Sequence, residues 1–243
     1  MRVAVVSDIH SNLHALSAVW AEIEAESPDE IWCLGDVVGY GPKPEECART
    51  VAEDVTLPLC GNHDLGVLGE IDIEDFAPDA ASAALWTRGV LSESSRDFLA
   101  GLRPLAEANG VQLFHASPRD PVWEYVLTDQ AAAAALALTT APLVLVGHSH
   151  VPLAVTLDGD GGLDGGHAPA GTEIELGDGR WLLNPGSVGQ PRDGDSRAAW
   201  LLLDLDAGRA SFRRTEYPIA QTVGEIREAG LPPLLGERLW SGA

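Results

Sequence analysis

Short apolar runs recur along the chain, each bounded by polar or glycine-rich loops. They are Val3–Val6, Ile31–Leu34, Val55–Cys60, Val111–Phe114, Leu143–Val146, Leu153–Leu157, Thr172–Leu176, Trp181–Leu183 and Ala199–Leu205. Short runs rich in Val, Ile and Leu are the signature of strands rather than helices. Between the early runs the period lengthens. Leu13, Leu16, Trp20 and Ile23 share one face of a helix predicted over Asn12–Glu26. Pro44, with Glu45 and Glu46 beside it, predicts a helix start and a helix over Pro44–Glu53. Asp79–Val90, Ser92–Leu102 and Thr128–Thr139 also read as helices, the last two opening on a residue able to cap. The tail reads as a helix over Ile219–Ala229 and a capping turn over Leu234–Trp240.

Strand–helix–strand alternation at the start of the chain predicts α/β units. Later spacing is that of hairpins. Asp158–Gly166 is a loose one, and Ala207-Gly208 joins Ala199–Asp206 to Ala210–Tyr217. Asn109-Gly110 marks an earlier hairpin. A mixed sheet system is expected, with two sheets packed face to face and helices outside. No repeat or linker divides the chain, so one domain over residues 1–243 is expected.

Charge narrows the partners. With 15 basic and 37 acidic residues the chain carries −22, while 45% hydrophobic residues argue against disorder. Such a field repels phosphate backbones at long range, so nucleic acid is not an expected partner. The cysteines, Cys33, Cys47 and Cys60, are odd in number and lack a Cys-x-x-Cys pair. The run before Asp8 is too short for a signal peptide, and no stretch reaches the length of a membrane span. A cytoplasmic protein without a membrane partner is expected.

The chemistry-bearing residues fall just after the apolar runs. Val3–Val6 leads into Ser7-Asp8-Ile9-His10, and Ile31–Leu34 into Gly35-Asp36. Val55–Cys60 leads into Gly61-Asn62-His63-Asp64, Val111–Phe114 into His115, and Leu143–Val146 into Gly147-His148-Ser149-His150. Trp181–Leu183 leads into Asn184-Pro185-Gly186-Ser187. Loops beyond the carboxyl ends of strands form the binding crevice of α/β sheets. A single histidine there is more often a capping residue than a ligand. Five of the seven histidines, two carboxylates and an asparagine on one rim are another matter. That many buried polar groups are costly without a cation, and they are enough for two. Asp8, His10, Asp36 and His150 would hold one ion, and Asp36, Asn62, His115 and His148 the other, with Asp36 shared. Imidazole and oxygen without thiolate suits Mn, Fe, Zn or Co rather than Ca or Mg. A hydroxide between the ions would attack phosphorus in line. His63 would protonate the leaving oxygen, and Asp64 would orient His63 and raise its pKa.

Asp8-x-His10, Gly35-Asp36-x-x-Gly39, Gly61-Asn62-His63-Asp64, His115 and Gly147-His148-x-His150 occur in an order that resembles the calcineurin-like metallophosphoesterase superfamily. The Asn184–Gly189 turn and closing strands are similar to its small bacterial and archaeal phosphodiesterase-like members. The resemblance implies a four-layer α/β/β/α sandwich with two mixed β-sheets, a dinuclear centre, often manganese, and phosphomonoester or phosphodiester hydrolysis. It makes the same ligand assignments position by position. The expected substrate is a small phosphate ester. The alternatives are a catalytically weak scaffold on the same fold, a protein phosphatase and a nuclease.

The substrate side is less legible. Tyr40 follows the Asp36 loop and is expected to form one wall. Arg119 and Arg192, each in a Pro-Arg-Asp tripeptide, are either phosphate clamps or arginines paired with the neighbouring acid. Asn12 either contacts phosphate or caps the helix that follows. Trp123 and Tyr125 either stack on a nucleobase or form a small core of their own loop. Asp158–Pro169 lacks the acid that closes a calcium loop, and reads as a flexible hairpin with His167 exposed and silent.

Overall fold

Alternation along β1 (Arg2–Val6) sends Val3 and Val5 to one face and Ala4 and Val6 to the other, and all four are buried. A strand apolar on both faces belongs at the centre of a layered fold, and β1 sits there. The computed structural model describes residues 1–177 and 179–243.

The strands are β1, β2 (Glu30–Cys33), β3 (Leu57–Pro58), β4 (Leu105–Ala108), β5 (Val111–Phe114), β6 (Leu143–Leu145), β7 (Leu153–Leu157), β8 (Leu163–His167), β9 (Glu173–Glu175), β10 (Arg180–Asn184), β11 (Ala198–Asp204) and β12 (Arg209–Thr215). They form two six-stranded sheets, ordered β3-β2-β1-β11-β12-β9 and β4-β5-β6-β10-β7-β8. Both are mixed. The first is parallel through β1, β2 and β3, the second through β5, β6 and β10.

The sheets pack through Val3, Val5, Trp32, Leu201 and Phe212 from the first and Val111, Leu113, Leu145 and Leu183 from the second. On the outer face of the first sheet lie α1 (Leu13–Glu26) and α2 (Pro44–Asp54), through Leu16, Val19, Ile23, Cys47 and Val51. The second sheet is covered by α6 (Asp129–Ala137), whose Ala132, Ala135 and Leu136 meet Val144, Val146 and Leu182. This is the expected α/β/β/α sandwich. The other helices are α3 (Asn62–Leu68), α4 (Pro78–Val90), α5 (Glu93–Ala100), α7 (Ile219–Glu228) and α8 (Pro233–Glu237). Helix caps follow the sequence: Asn12, Ser92 and Thr128 each accept a backbone N–H in the first turn. Among the described residues, no helix is long and apolar enough to cross a membrane.

Three elements differ from the pattern. The run Val55–Cys60 pairs only at Leu57–Pro58, because proline has no N–H for a ladder. The Asn62–Asp64 segment is not just a loop, since it opens α3. Asp64, in the first turn, accepts the N–H of Gly61. Leu163–His167 is a strand paired with β7 although its sequence is LDGGH. Backbone pairing holds it, without the apolar alternation that would reveal it.

All three cysteines are buried and free. Burial raises each thiol, Cys60 up to about 12. Native protein is therefore expected to resist a thiol-specific reagent at pH 8, and unfolding should expose all three. Rapid labelling of folded protein would contradict this.

Candidate metal centre

The parallel strands of both sheets end on the same edge. From β1 come Asp8 and His10, and from β2 comes Asp36. Asn62 and His63 begin α3, His115 follows β5, and His148 and His150 follow β6. Each side chain is at most 5% exposed. The backbone bends sharply to place them. Asp8, His10, Asp36, His148 and His150 all have positive φ, as do Ser11 and Tyr40. Non-glycine residues seldom adopt this conformation outside functional sites. The loops are tied by Asn184, which donates to Gly147 O and Ser149 Oγ, and by Ser187, which donates to Asp8 O at 2.8 Å.

Four imidazoles have their tautomers set by the backbone. The Nδ1 atoms of His10, His115 and His150 donate to the carbonyls of Val38 (3.2 Å), Leu34 (2.8 Å) and Gln190 (2.6 Å). In His148 it is Nε2 that donates, to Trp123 O at 3.1 Å. A neutral ring has one N–H, so the other nitrogen carries a bare lone pair. Burial pushes every one of these histidines down, His148 to about 3, so a second proton is not held at neutral pH.

The lone pairs then meet one another. His10 Nε2 lies 3.1 Å from His150 Nε2. His150 Nε2 is 3.3 Å from Asp8 Oδ1, and His115 Nε2 is 3.3 Å from Asn62 Oδ1. Asp36 Oδ2 lies 3.6 Å from both His10 Nε2 and His115 Nε2. Among the described residues, Asp8 Oδ1, Asp36 Oδ2 and His148 Nδ1 are buried with no hydrogen-bond partner. Acceptors facing acceptors in a buried space repel unless a cation sits among them. The donor atoms fall into two groups, Asp8–His10–Asp36–His150 and Asp36–His115–His148, with Asp36 in both. Asn62 stands beside the second. The residues therefore fit a pair of divalent ions.

Charge effects agree. Burial, then the nearby Asp64 and Asp8 carboxylates, raise Asp36 well above the usual carboxylate range. Cations would remove the penalty on Asp36.

Two glycines allow this packing. A Cβ on Gly61 would overlap Asp36 Oδ1 and crowd His115, and one on Gly147 would overlap Ser7 Oγ. Gly61→Ala is expected to weaken metal binding by ~10–100-fold, as for other distortions around a ligand set. Metal titration with a circular dichroism control checks this, and wild-type affinity in a folded variant would contradict it.

The remaining candidates divide. His63 donates its backbone N–H to Asp36 Oδ1 at 2.9 Å, and its ring is packed by Tyr40 (4.3 Å between centroids), Phe76 (4.8 Å) and His10 (4.8 Å). Asp64 does not orient that ring. Its carboxylate accepts the N–H groups of Val37, Val38 and Gly61, because it caps α3 and pins the Asp36 loop. Nor is His63 raised: burial, then the Arg192 charge, push it well below its usual value. Burial lifts Asp64 itself to about 6.

Asn12 is the helix cap rather than a phosphate contact. Its Oδ1 accepts from Ala15 N and Thr222 Oγ1, and its Nδ2 donates to Gly189 O. Arg119 is not available as a clamp. Its guanidinium is paired with Glu124 and 51% exposed. The partner is Glu124 rather than the adjacent Asp120. Arg192 instead stays by the centre, donating to Tyr40 Oη at 3.3 Å. Trp123 contributes the carbonyl that fixes His148. Tyr125 stacks on the His148 ring at 4.1 Å and 17°. His167 bonds to Asp193 at 3.0 Å.

Sequence reasoning missed the four carbonyl partners, which carry no side-chain signal. It also missed Phe76, whose sequence surroundings show no motif. A larger cavity of about 550 Å³ is lined by Arg2, Glu173, Glu175, Asp204, Arg209 and Arg213. Its arginines are paired with Glu26 and Glu175, leaving no convergent free group.

Comparison with known proteins is consistent with this centre. Residues 1–208 match the family model described as the calcineurin-like phosphoesterase superfamily domain. The chain is 39% identical to an uncharacterized protein of Methanocaldococcus jannaschii, over 99% of this chain and 98% of that one. The crystal structure of a metallophosphoesterase from Sphaerobacter thermophilus is 39% identical with a TM-score of 0.91, covering 100% of both chains. A hypothetical protein from Pyrococcus horikoshii shares the fold at 20% identity and a TM-score of 0.81, over 100% of this chain and 98% of that one.

Proposed function

Because the chain belongs to the calcineurin-like phosphoesterase superfamily, and is thus a metal-binding phosphoric ester hydrolase, we propose that it hydrolyses a small phosphate monoester or diester with two Mn2+ ions. The observation that carries this reading is the pair of acceptor clusters sharing Asp36. Asp8, His10, Asp36 and His150 hold one ion, and Asp36, Asn62, His115 and His148 the other. Bound divalent ions supply neutralising charge for the phosphoryl oxygens and activate water. Mn2+ suits a set of imidazoles and carboxylates without thiolate.

The chain's own residues do the rest. The carbonyls of Leu34, Val38, Trp123 and Gln190 keep the ligating lone pairs aimed inward. Asp36 Oδ1 holds the His63 backbone, fixing the acid to a ligand. His63 is the group placed to give a proton to the leaving oxygen, and the negative charge of a bound phosphate ester opposes the burial and the Arg192 charge that otherwise hold it low. Tyr40 and Phe76 both pack on its ring and limit water around it. Asp64 positions the loops and does not touch the reacting atoms.

A recessed centre on an acidic protein favours a small, nucleotide-like ester over a long polyanion. A cytoplasmic setting fits the buried free thiols. Retention of His63 and the whole donor set favours an enzyme over a scaffold. The test is phosphate release from aryl monoesters, aryl diesters, nucleotides, cyclic nucleotides, dinucleotides and phosphopeptides, after chelation and with Mn2+ restored. Mn2+-dependent turnover of at least one small ester is expected. No turnover anywhere in the panel would overturn the proposal.

A further inference from the structure

Within the loop that joins β10 to β11, residues 189–195 hydrogen-bond to one half of the donor set only. Gly189 N donates to Asp8 O at 2.9 Å, and Arg192 N donates to His150 O at 3.2 Å. Gln190 O accepts from His150 Nδ1 at 2.6 Å. Arg192 Nη2 donates to Tyr40 Oη, and the Tyr40 ring packs on His10 at 4.6 Å between centroids. Among the described residues, no hydrogen bond joins this loop to Asn62, His115 or His148. The imidazoles of that half are fixed from elsewhere, by Leu34 O and Trp123 O.

What holds the far end of the loop is a buried ion pair. Asp193 Oδ2 accepts from Arg214 Nη2 and from His167 Nε2, the latter at 3.0 Å. Arg214 belongs to β12 of the first sheet, and His167 ends β8, the edge strand of the second. One carboxylate thus ties the loop to both sheets. The side chains of Asp193 and Arg214 are 4% and 2% exposed. Arg214 Nη1 donates in addition to the backbone oxygens of Arg197 at 2.9 Å and Asp195 at 3.3 Å. A buried ion pair costs desolvation, and apolar side chains would hold two sheets together as well. A planar guanidinium bonded to one carboxylate and two carbonyls does something apolar packing does not: it fixes the path of the loop. Only Pro191 and Arg192 separate Asp193 from Gln190, so that path decides where the Gln190 carbonyl stands.

We propose that Asp193 and Arg214 are positioning residues for the ion held by Asp8, His10, Asp36 and His150, and that they set its affinity without setting that of the other ion. This rests on the two-ion reading of the centre given above. The ion pair fixes Gln190, and the Gln190 carbonyl keeps the His150 proton on Nδ1 and the lone pair of Nε2 turned inward. The two positions therefore load separately, and the one beside Asn62 is independent of the loop.

Mn2+ titration followed by electron paramagnetic resonance distinguishes a lone ion from a spin-coupled pair. Asp193→Asn is expected to weaken one binding step ~10–100-fold, the scale for a partner that orients a ligand, and to leave the other near its wild-type value. At intermediate Mn2+ the variant should give the lone-ion spectrum where the wild type gives that of the pair. Crystals at that concentration should keep the anomalous peak beside Asn62, His115 and His148 and lose the one beside His10 and His150. Arg214→Lys, which keeps the charge, should fall between wild type and Asp193→Asn. Because Asp193→Asn leaves Arg214 buried and unpaired, it can fail to fold. His167→Ala then carries the test: that side chain is 46% exposed, and losing its bond to Asp193 should weaken the same step roughly threefold. Equal weakening of both steps, the mark of a purely structural role, would overturn the inference. So would wild-type affinities in folded Asp193→Asn, or in His167→Ala where Asp193→Asn does not fold. Wild-type protein that never shows a coupled pair would overturn it together with the two-ion reading. Selective weakening in a protein that hydrolyses no ester would support it and overturn the phosphoesterase reading alone.

Discussion

Asp36→Asn is expected to lower kcat on aryl phosphates by ~10³-fold or more, about 4 kcal/mol of barrier, and to raise the stability of the metal-free protein. The two effects share a cause. Asp36 Oδ2 is buried, unpartnered, and 3.6 Å from two bare imidazole nitrogens. Its charge is useful only when cations are present. An asparagine amide in its place removes the charge and offers N–H donors to those nitrogens, while its oxygen still accepts the His63 N–H. In chelator the variant should gain on the order of 1–3 kcal/mol, the penalty of an unsatisfied buried group. The sign with pH follows from the raised Asp36. Its contribution is fully present below the unfolded value of 3.8 and is lost as pH rises through the higher folded one. The variant's advantage should therefore be large at pH 7 and shrink toward pH 4. With Mn2+ added the order should reverse, because the wild type gains ligand-linked stability that the variant lacks. Denaturant melts with and without Mn2+ check this. A variant less stable than wild type in chelator, or fully active in Mn2+, would contradict it.

His63→Ala should separate chemistry from metal binding. His63 is not in either donor group, so metal content should stay near that of the wild type. Loss of a general acid costs ~10²–10⁴-fold in rate. The loss should be largest for alkyl esters, whose leaving oxygen needs a proton, and smallest for p-nitrophenyl esters, which depart as anions. Kinetics across a leaving-group series measure this as a steeper dependence on leaving-group pKa. A uniform loss across the series, or loss of the metals, would remove His63 from the role of acid.

Much of this was legible from residue order. Asp8, His10, Asp36, Asn62, His115, His148 and His150 follow strand-like runs, and chain topology brings the ends of parallel strands to one edge. The first sheet was visible because β1 and β11 are apolar over most of their length, and the second because β6 is. What stayed hidden has physical reasons. Strand β8 is held by backbone pairing, which leaves no mark in LDGGH. Helix α3 has only seven residues, too few to show a period. Asp64 sits next to His63 in sequence, but a helical first turn sends its carboxylate back to the Val37 and Val38 amides. Arg119 and Arg192 stand in identical tripeptides and are told apart only by surroundings, Glu124 for one and Tyr40 for the other. Of the −22, two charges belong to Asp8 and Asp36, so an acidic chain still builds a pocket for cations and, through them, for phosphate.

The central claim is that one shared carboxylate joins two metal positions. Crystals grown with Mn2+ and measured at an energy above the manganese absorption edge test it directly. The account predicts two anomalous peaks ~3.5–4 Å apart. One should lie within reach of Asp8, His10, Asp36 and His150, the other within reach of Asp36, Asn62, His115 and His148. A single peak, or two that do not share Asp36, would contradict it.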